Sequence, residues 1–186
     1  MSLMTFDRDW RKFITLGEVW RKRPRRGLPL ECPAPSSVEP LRYSIASEAR
    51  RAIQAHAQAN SVEVGGLLLG EVYEEQDLYL VSVTQILPAR YTDASLAYLT
   101  FTGETWLDLI ARCAALPDLK TVGWYHSHPG MGVFFSGSDR FVHRSFFGDQ
   151  PWYIALVIDP LSGEVGIFGW RNIQVVRCDS PTNRIP

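Results

Sequence analysis

The sequence predicts an α/β (α+β) domain, a mixed β-sheet flanked by helices. Three observations predict it: two Gly-poor segments whose apolar residues recur with a helical period, several short runs rich in β-branched and aliphatic residues, and the order helix, strands, helix, strands with at least one hairpin.

The elements follow in order along the chain. Phe6, Trp10, Phe13 and Ile14 share one helical face, and Gly17 ends that segment. A basic stretch, Trp20–Gly27, and prolines 29, 33, 35 and 40 then read as a linker, so residues 1–39 form an arm and a compact domain covers 40–178, with 179–186 as a tail. Ala46–Ala59 is Ala-rich and places Ala49, Ile53, His56 and Ala57 on one stripe, which predicts a helix closed by Asn60 and Ser61. Val64–Leu69 and Leu78–Leu87 predict a hairpin turning through Glu74–Asp77, and Tyr98–Thr102 a further strand. Gly103–Leu116 predicts a second helix with Trp106, Ile110, Cys113 and Ala114 facing inward and Pro117 as its stop. Thr121–His128, Trp152–Asp159 and Val165–Trp170 predict strands, the last two joined through the turn-forming Pro160-Leu161-Ser162-Gly163. Between them, Arg140–Phe147 has helical character.

Composition narrows the class. The 186 residues suit one domain, and 46% hydrophobic with 21% charged residues is enough apolar material to bury a core, which excludes a disordered chain. Three cysteines without a CxxC pair suggest neither a disulfide framework nor a thiolate zinc site, and no apolar run approaches the ~18 residues of a membrane span, so a cytoplasmic protein is expected. Residues 1–31 hold eight Lys/Arg against four acids, although the whole chain carries a net charge of only −1. Binding of nucleic acid or an anionic surface is one meaning of that basic arm, but a solvated linker beside a docking helix is the commoner one. Its apolar stripe is expected to pack on this domain, a second copy or a partner protein.

Two of the four histidines stand as His126-Ser127-His128 at the end of a strand, where residues two apart project on the same side. Histidine nitrogens are natural zinc donors, and a catalytic zinc site characteristically has three protein ligands. After a Pro129-Gly130 turn, Ser136-Gly137-Ser138-Asp139 leads into the next helix, where the helix dipole favours the ionised carboxylate of Asp139, the candidate third ligand. Ser136-x-x-Asp139 reads equally as a capping box. Glu63, at the rim of the Val64–Gly70 run, is the candidate proton acceptor, although periodicity alone favours an ordinary strand-end glutamate. His143 lies one turn after Asp139 and reads as a solvated helix histidine before a site residue; His56 reads as a core-edge histidine, and Cys113 as a packing residue.

Taken together, Glu63–Gly70, Gly123-Trp124-Tyr125-His126-Ser127-His128-Pro129-Gly130 and Ser136–Asp139, with eleven positions from His128 to Asp139, resemble the motif of the JAMM (JAB/MPN-type) zinc metallopeptidase family. The octapeptide is particularly similar to that of the catalytic deubiquitinase and deneddylase subunits of the proteasome lid and the signalosome, and Val157–Pro160 also matches. The likeness spans roughly residues 40–178. It implies a curved sheet with an MPN, cytidine-deaminase-like layout; one zinc ion per chain on His126, His128 and Asp139; Glu63 as general acid/base; and Ser136 as a donor to the oxyanion. The implied substrate is ubiquitin or a ubiquitin-like protein, cut after its carboxy-terminal tail. Residues 84–100 could hold a shortened first insertion that contacts the substrate tail, while the short Asp159–Gly163 stretch leaves no room for a second. Two other readings stand beside this one: a peptidase trimming small sulfur-carrier-type proteins, and a non-catalytic MPN scaffold. A zinc deaminase is excluded by the missing His-x-Glu and Pro-Cys-x-x-Cys signature.

Overall fold

The computed structural model describes residues 41–75 and 78–178. The arm, Cys32, the tail and the tip of the expected Glu74–Asp77 turn lie outside the described residues. The described residues form nine strands and three helices in the order β1 (Leu41–Ile45), α1 (Ser47–Gln58), β2 (Gly65–Glu75), β3 (Leu78–Pro88), β4 (Asp93–Ala94), β5 (Leu99–Thr100), α2 (Gly103–Ala114), β6 (Lys120–Ser127), α3 (Gly137–Phe146), β7 (Ile154–Asp159), β8 (Glu164–Arg171) and β9 (Gln174–Arg177). Seven strands form one sheet in the order β1-β3-β2-β6-β7-β8-β9; β4 and β5 make a separate two-stranded ribbon. The β1–β3 and β6–β7 pairs are parallel and the rest antiparallel, so the expected mixed sheet is found. It is also curled: a Cβ on Gly169 of β8 would come within 2.6 Å of Leu41 Cδ2 on β1, at the opposite end of the strand order.

The sheet's centre is covered on both sides, which is why β7 is buried at every residue and β6 at all but its first. Helix α1 lies across β3, β6 and β7 and buries Ala49, Ile53 and Ala57, two of them small enough to bring its backbone close. Ile53 is fully buried, and truncating it to Ala would cost about 2–5 kcal/mol. Successive residues of β6 divide between the faces. Tyr125 reaches α1, where its hydroxyl and His56 Nδ1 are 2.9 Å apart, while Trp124 turns to the other side among Phe101, Phe135 and Phe147. Close pairing at the start of the parallel β6–β7 ladder requires Gly123, because a Cβ there would sit 1.9 Å from the Ile154 carbonyl oxygen.

Several expectations need correction. The first hairpin strand runs on to Glu75, and the edge strands β1 and β9 join a sheet in which the sequence marks neither. In α2, Thr105, Trp106 and Leu109 are buried, whereas Ile110 and Cys113 lie half-buried at the stripe's margin and Ala114 is exposed. Thr105 can be buried because its hydroxyl is satisfied: Oγ1 donates to the Tyr91 carbonyl (2.9 Å) and accepts from the Thr102 N–H (3.2 Å) as half of a capping box.

Candidate metal centre

Three local devices bring the site together. The His128 N–H donates to the Ile158 carbonyl (2.8 Å), so the chain keeps strand geometry one residue beyond β6 and both imidazoles project on one face. The next turn needs left-handed backbone at Gly130 (φ 74°) and Gly132 (φ 77°). Asp159, at the end of the neighbouring strand β7, clamps that turn by accepting N–H bonds from Gly130 (3.0 Å), Gly132 (3.2 Å) and Leu161 (2.9 Å). Burial alone would raise the Asp159 carboxyl, but those donors outweigh it and hold the group below its usual range. Helix α3 then begins with a reciprocal box: Ser136 Oγ accepts from the Asp139 N–H (3.1 Å), and Asp139 Oδ2 accepts from the Ser136 N–H (2.6 Å).

These devices converge His126, His128 and Asp139, all buried. His126 Nε2 is 3.1 Å from His128 Nε2 and 3.1 Å from Asp139 Oδ1, and His128 Nε2 is 3.8 Å from Asp139 Oδ2. Tetrahedral zinc bonds of ~2.0–2.2 Å put neighbouring donor atoms roughly 3.3–3.6 Å apart; here one ligand atom from each of the three residues lies within 4.8 Å of the others, a group that could hold a metal ion. Among the described residues they are the His/Cys/Asp/Glu group able to hold a metal. Their protonation suits it. Burial opposes charge on Asp139, yet the His126 contact and the Ser136 donors win and bring its pKa to about 2. Burial and the neighbouring His126 depress His128, which favours the neutral imidazole a metal requires. His128 Nδ1 has the carbonyl of Gly132 at 3.3 Å, whereas the buried His126 Nδ1 has no partner among the described residues.

Glu63 sits beside this group. Ser127 places it: the Ser127 Oγ accepts the Val64 N–H (3.0 Å) and its own N–H donates to the Val64 carbonyl (2.8 Å). The Glu63 N–H is held by the Ser95 carbonyl (2.8 Å), and its Oε1 lies 4.0 Å from His128 Nε2. Burial first, and the charge of Asp139 second, raise its carboxyl to about 7. The carboxylate lies just before β2 and is only 4% exposed, deeper than an ordinary strand-end glutamate. Both readings of Ser136 survive, since a hydroxyl that accepts the Asp139 N–H still has its own proton to donate.

The other candidates fall elsewhere. His56 is the expected core-edge histidine. Cys113 is half-buried, and its thiol is pushed up by burial, away from nucleophilic use. His143 departs from the expected solvated histidine: it is fully buried, and its Nδ1 accepts the Trp124 indole N–H at 3.1 Å. Asp159 and Ser127 are residues to which sequence reasoning assigns no structural part, with a signal only for Asp159, the turn-forming Asp-Pro after an apolar strand; for His143 the spacing from Asp139 marks the shared helix face but not the burial.

A family model described as prokaryotic homologs of the JAB domain matches residues 46–171. The chain belongs to that family. This agrees with the resemblance drawn from the motif. The 26S proteasome non-ATPase regulatory subunit 14 of Dictyostelium discoideum is 34% identical over 155 residues, which cover 81% of this chain and 48% of that protein. COP9 signalosome complex subunit 5 of Gibberella zeae is 29% identical over 175 residues, 91% of this chain and 47% of the relative. The JAB chain thus spans about half the length of these curated relatives. Among solved structures, the solution structure of a protein from Desulfitobacterium hafniense superposes with a TM-score of 0.57 at 20% identity, covering 74% of this chain and 90% of that one, a likeness of fold. No helix among the described residues is long and apolar enough to cross a membrane.

Proposed function

We propose that this chain is a zinc-dependent peptidase that hydrolyses the amide bond after the carboxy-terminal tail of ubiquitin or a ubiquitin-like protein. The observation that carries the reading is the meeting of three buried donor residues, whose ligand atoms lie within 4.8 Å of one another, with a carboxyl whose pKa is raised to about 7. A zinc ion held by His126, His128 and Asp139 would lower the pKa of water to about 7 and polarise a carbonyl. Glu63 would accept a proton from the attacking water and deliver it to the leaving amine, and its raised pKa suits both tasks near neutral pH. Asp139 stays ionised throughout. Ser136 directs its remaining hydroxyl proton at the carbonyl oxygen as that oxygen gains charge.

Ubiquitin-like substrates are favoured because the relatives are named as subunits of the 26S proteasome and the COP9 signalosome. Trimming of small sulfur-carrier-type proteins is the second reading, favoured by the tight β7–β8 hairpin, which pairs Asp159 with Glu164 and carries no second insertion. A panel of ubiquitin-like proteins with carboxy-terminal extensions or isopeptide-linked lysines decides between them. The reading expects cleavage after the tail, abolished by chelator and restored by zinc. Cleavage that persists in chelator would overturn it, and cleavage confined to sulfur-carrier proteins would select the second reading.

A further inference from the structure

A metal-ligating histidine is ordinarily oriented by a hydrogen bond through its other ring nitrogen. His128 has such a neighbour in the Gly132 carbonyl, but the buried Nδ1 of His126 has none among the described residues. What lies against His126 instead is a flat surface. The Trp124 indole stacks on it with ring centroids 4.6 Å apart and planes 12° from parallel. That surface orients His126 only if the indole is itself fixed, and the one hydrogen bond recorded for it is made by His143, whose Nδ1 accepts its N–H at 3.1 Å.

We propose that His143 is a positioning residue for the metal centre: by accepting the Trp124 indole N–H it locks the plane on which His126 lies and ties α3, which carries Asp139, to β6, which carries His126 and leads directly into His128. His143 sits one helical turn after Asp139, so the same rigid element delivers the third ligand and the bond that sets the first. Its own ring is held from behind by Trp170, stacked at 4.9 Å and 26°, and the Trp170 indole donates to the Phe147 carbonyl at the end of α3 (2.8 Å). A purely space-filling role explains less. His143 Nε2 is buried without a partner among the described residues, an unfavourable state that a Leu or Phe in the same place would avoid, and the bond to Trp124 is what the polar ring adds. Burial keeps the ring neutral, which leaves Nδ1 free to accept and puts the proton on Nε2.

The inference rests on the metal reading proposed above, and its test separates the two. Metal-free protein is titrated with zinc against a competing chromophoric chelator, for the wild type, His143→Gln, His143→Leu, Trp124→Phe and the Trp124→Phe/His143→Leu double variant. The thermal midpoint of each metal-free form is recorded alongside. His143→Leu is expected to weaken zinc binding about 10–100-fold, whereas His143→Gln, whose amide oxygen can accept the indole N–H, stays within about threefold of the wild type. Trp124→Phe, which keeps a ring but removes the donor, weakens binding as His143→Leu does, and the double variant is no weaker than either single one. A role in packing alone moves the midpoint and leaves zinc affinity unchanged. Wild-type affinity in His143→Leu, or equal losses in the Leu and Gln variants, would overturn the inference. Should His143→Leu fail to fold, Trp124→Phe decides, with wild-type affinity there overturning it. A wild type that takes up no zinc defeats the metal reading itself, whereas a zinc-binding wild type with unaffected variants defeats only the part given to His143.

Discussion

Two histidine contacts on opposite faces of β6 have similar lengths and different chemistry. On the α1 side, His56 Nδ1 and the Tyr125 hydroxyl are 2.9 Å apart, a donor meeting an acceptor. On the other side, the Nε2 atoms of His126 and His128 are 3.1 Å apart with a carboxylate oxygen 3.1 Å from the first. The first arrangement is complete as it stands and fastens a helix to the sheet. The second crowds three lone-pair-bearing atoms at one point, which suits a shared cation better than it suits hydrogen bonding among themselves. The neighbouring strand residues Tyr125 and His126 are equally buried, so depth along β6 does not separate the fastening from the site. Whether each polar atom has its complement does.

Replacing a donor, as in His126→Ala or Asp139→Asn, is expected to weaken zinc binding by more than about 100-fold, measured by chelator competition. Tyr125→Phe should leave the same titration unchanged. Next, Glu63→Gln is expected to lower turnover of a cleavable ubiquitin-like fusion by about 10²–10⁴ while zinc binding persists, since it removes a proton carrier and no ligand.

The pH dependence of the metal-free protein is subtler. Glu63 has a folded-state pKa raised to about 7 against an ordinary 4.5, so its protonated form is the one folding favours. Metal-free protein should therefore lose stability as pH rises from about 4.5 to about 7, and Glu63→Gln should flatten that part of the profile, as followed by thermal midpoint against pH. The smallest effect belongs to the fastening face. Tyr125→Phe removes one hydrogen bond to His56 and is expected to cost about 0.5–1.5 kcal/mol in denaturant unfolding.

Much of this was readable in the sequence wherever the governing contacts are local. Two histidines two apart on a strand, a serine three residues before an acid and a glycine-rich turn each follow a short period, and the structure brings His126, His128, Asp139 and Glu63 together. The strands β7 and β8 announce themselves by apolar runs, Ile154–Ile158 and Val165–Trp170, and β6 by the shorter Val122–Tyr125. What sequence hides is set by distant partners. β1 and β9 are short edge strands whose pairing depends on β3 and β8, and β4 is two residues long. Thr105 is buried because Tyr91 satisfies it, and His143 because an aromatic cluster closes around it. Ser127 and Asp159 act through backbone groups that only the folded sheet brings near.

Gripping the metal and moving the proton are separate tasks of this site, and Glu63→Gln parts them in one paired measurement: zinc bound per chain, together with the rate of tail cleavage. The account expects one zinc per chain, as in the wild type, with cleavage reduced at least about 100-fold. Zinc lost along with activity would make Glu63 part of the metal's hold, and activity retained would remove it from the chemistry; either result contradicts the division of labour described here.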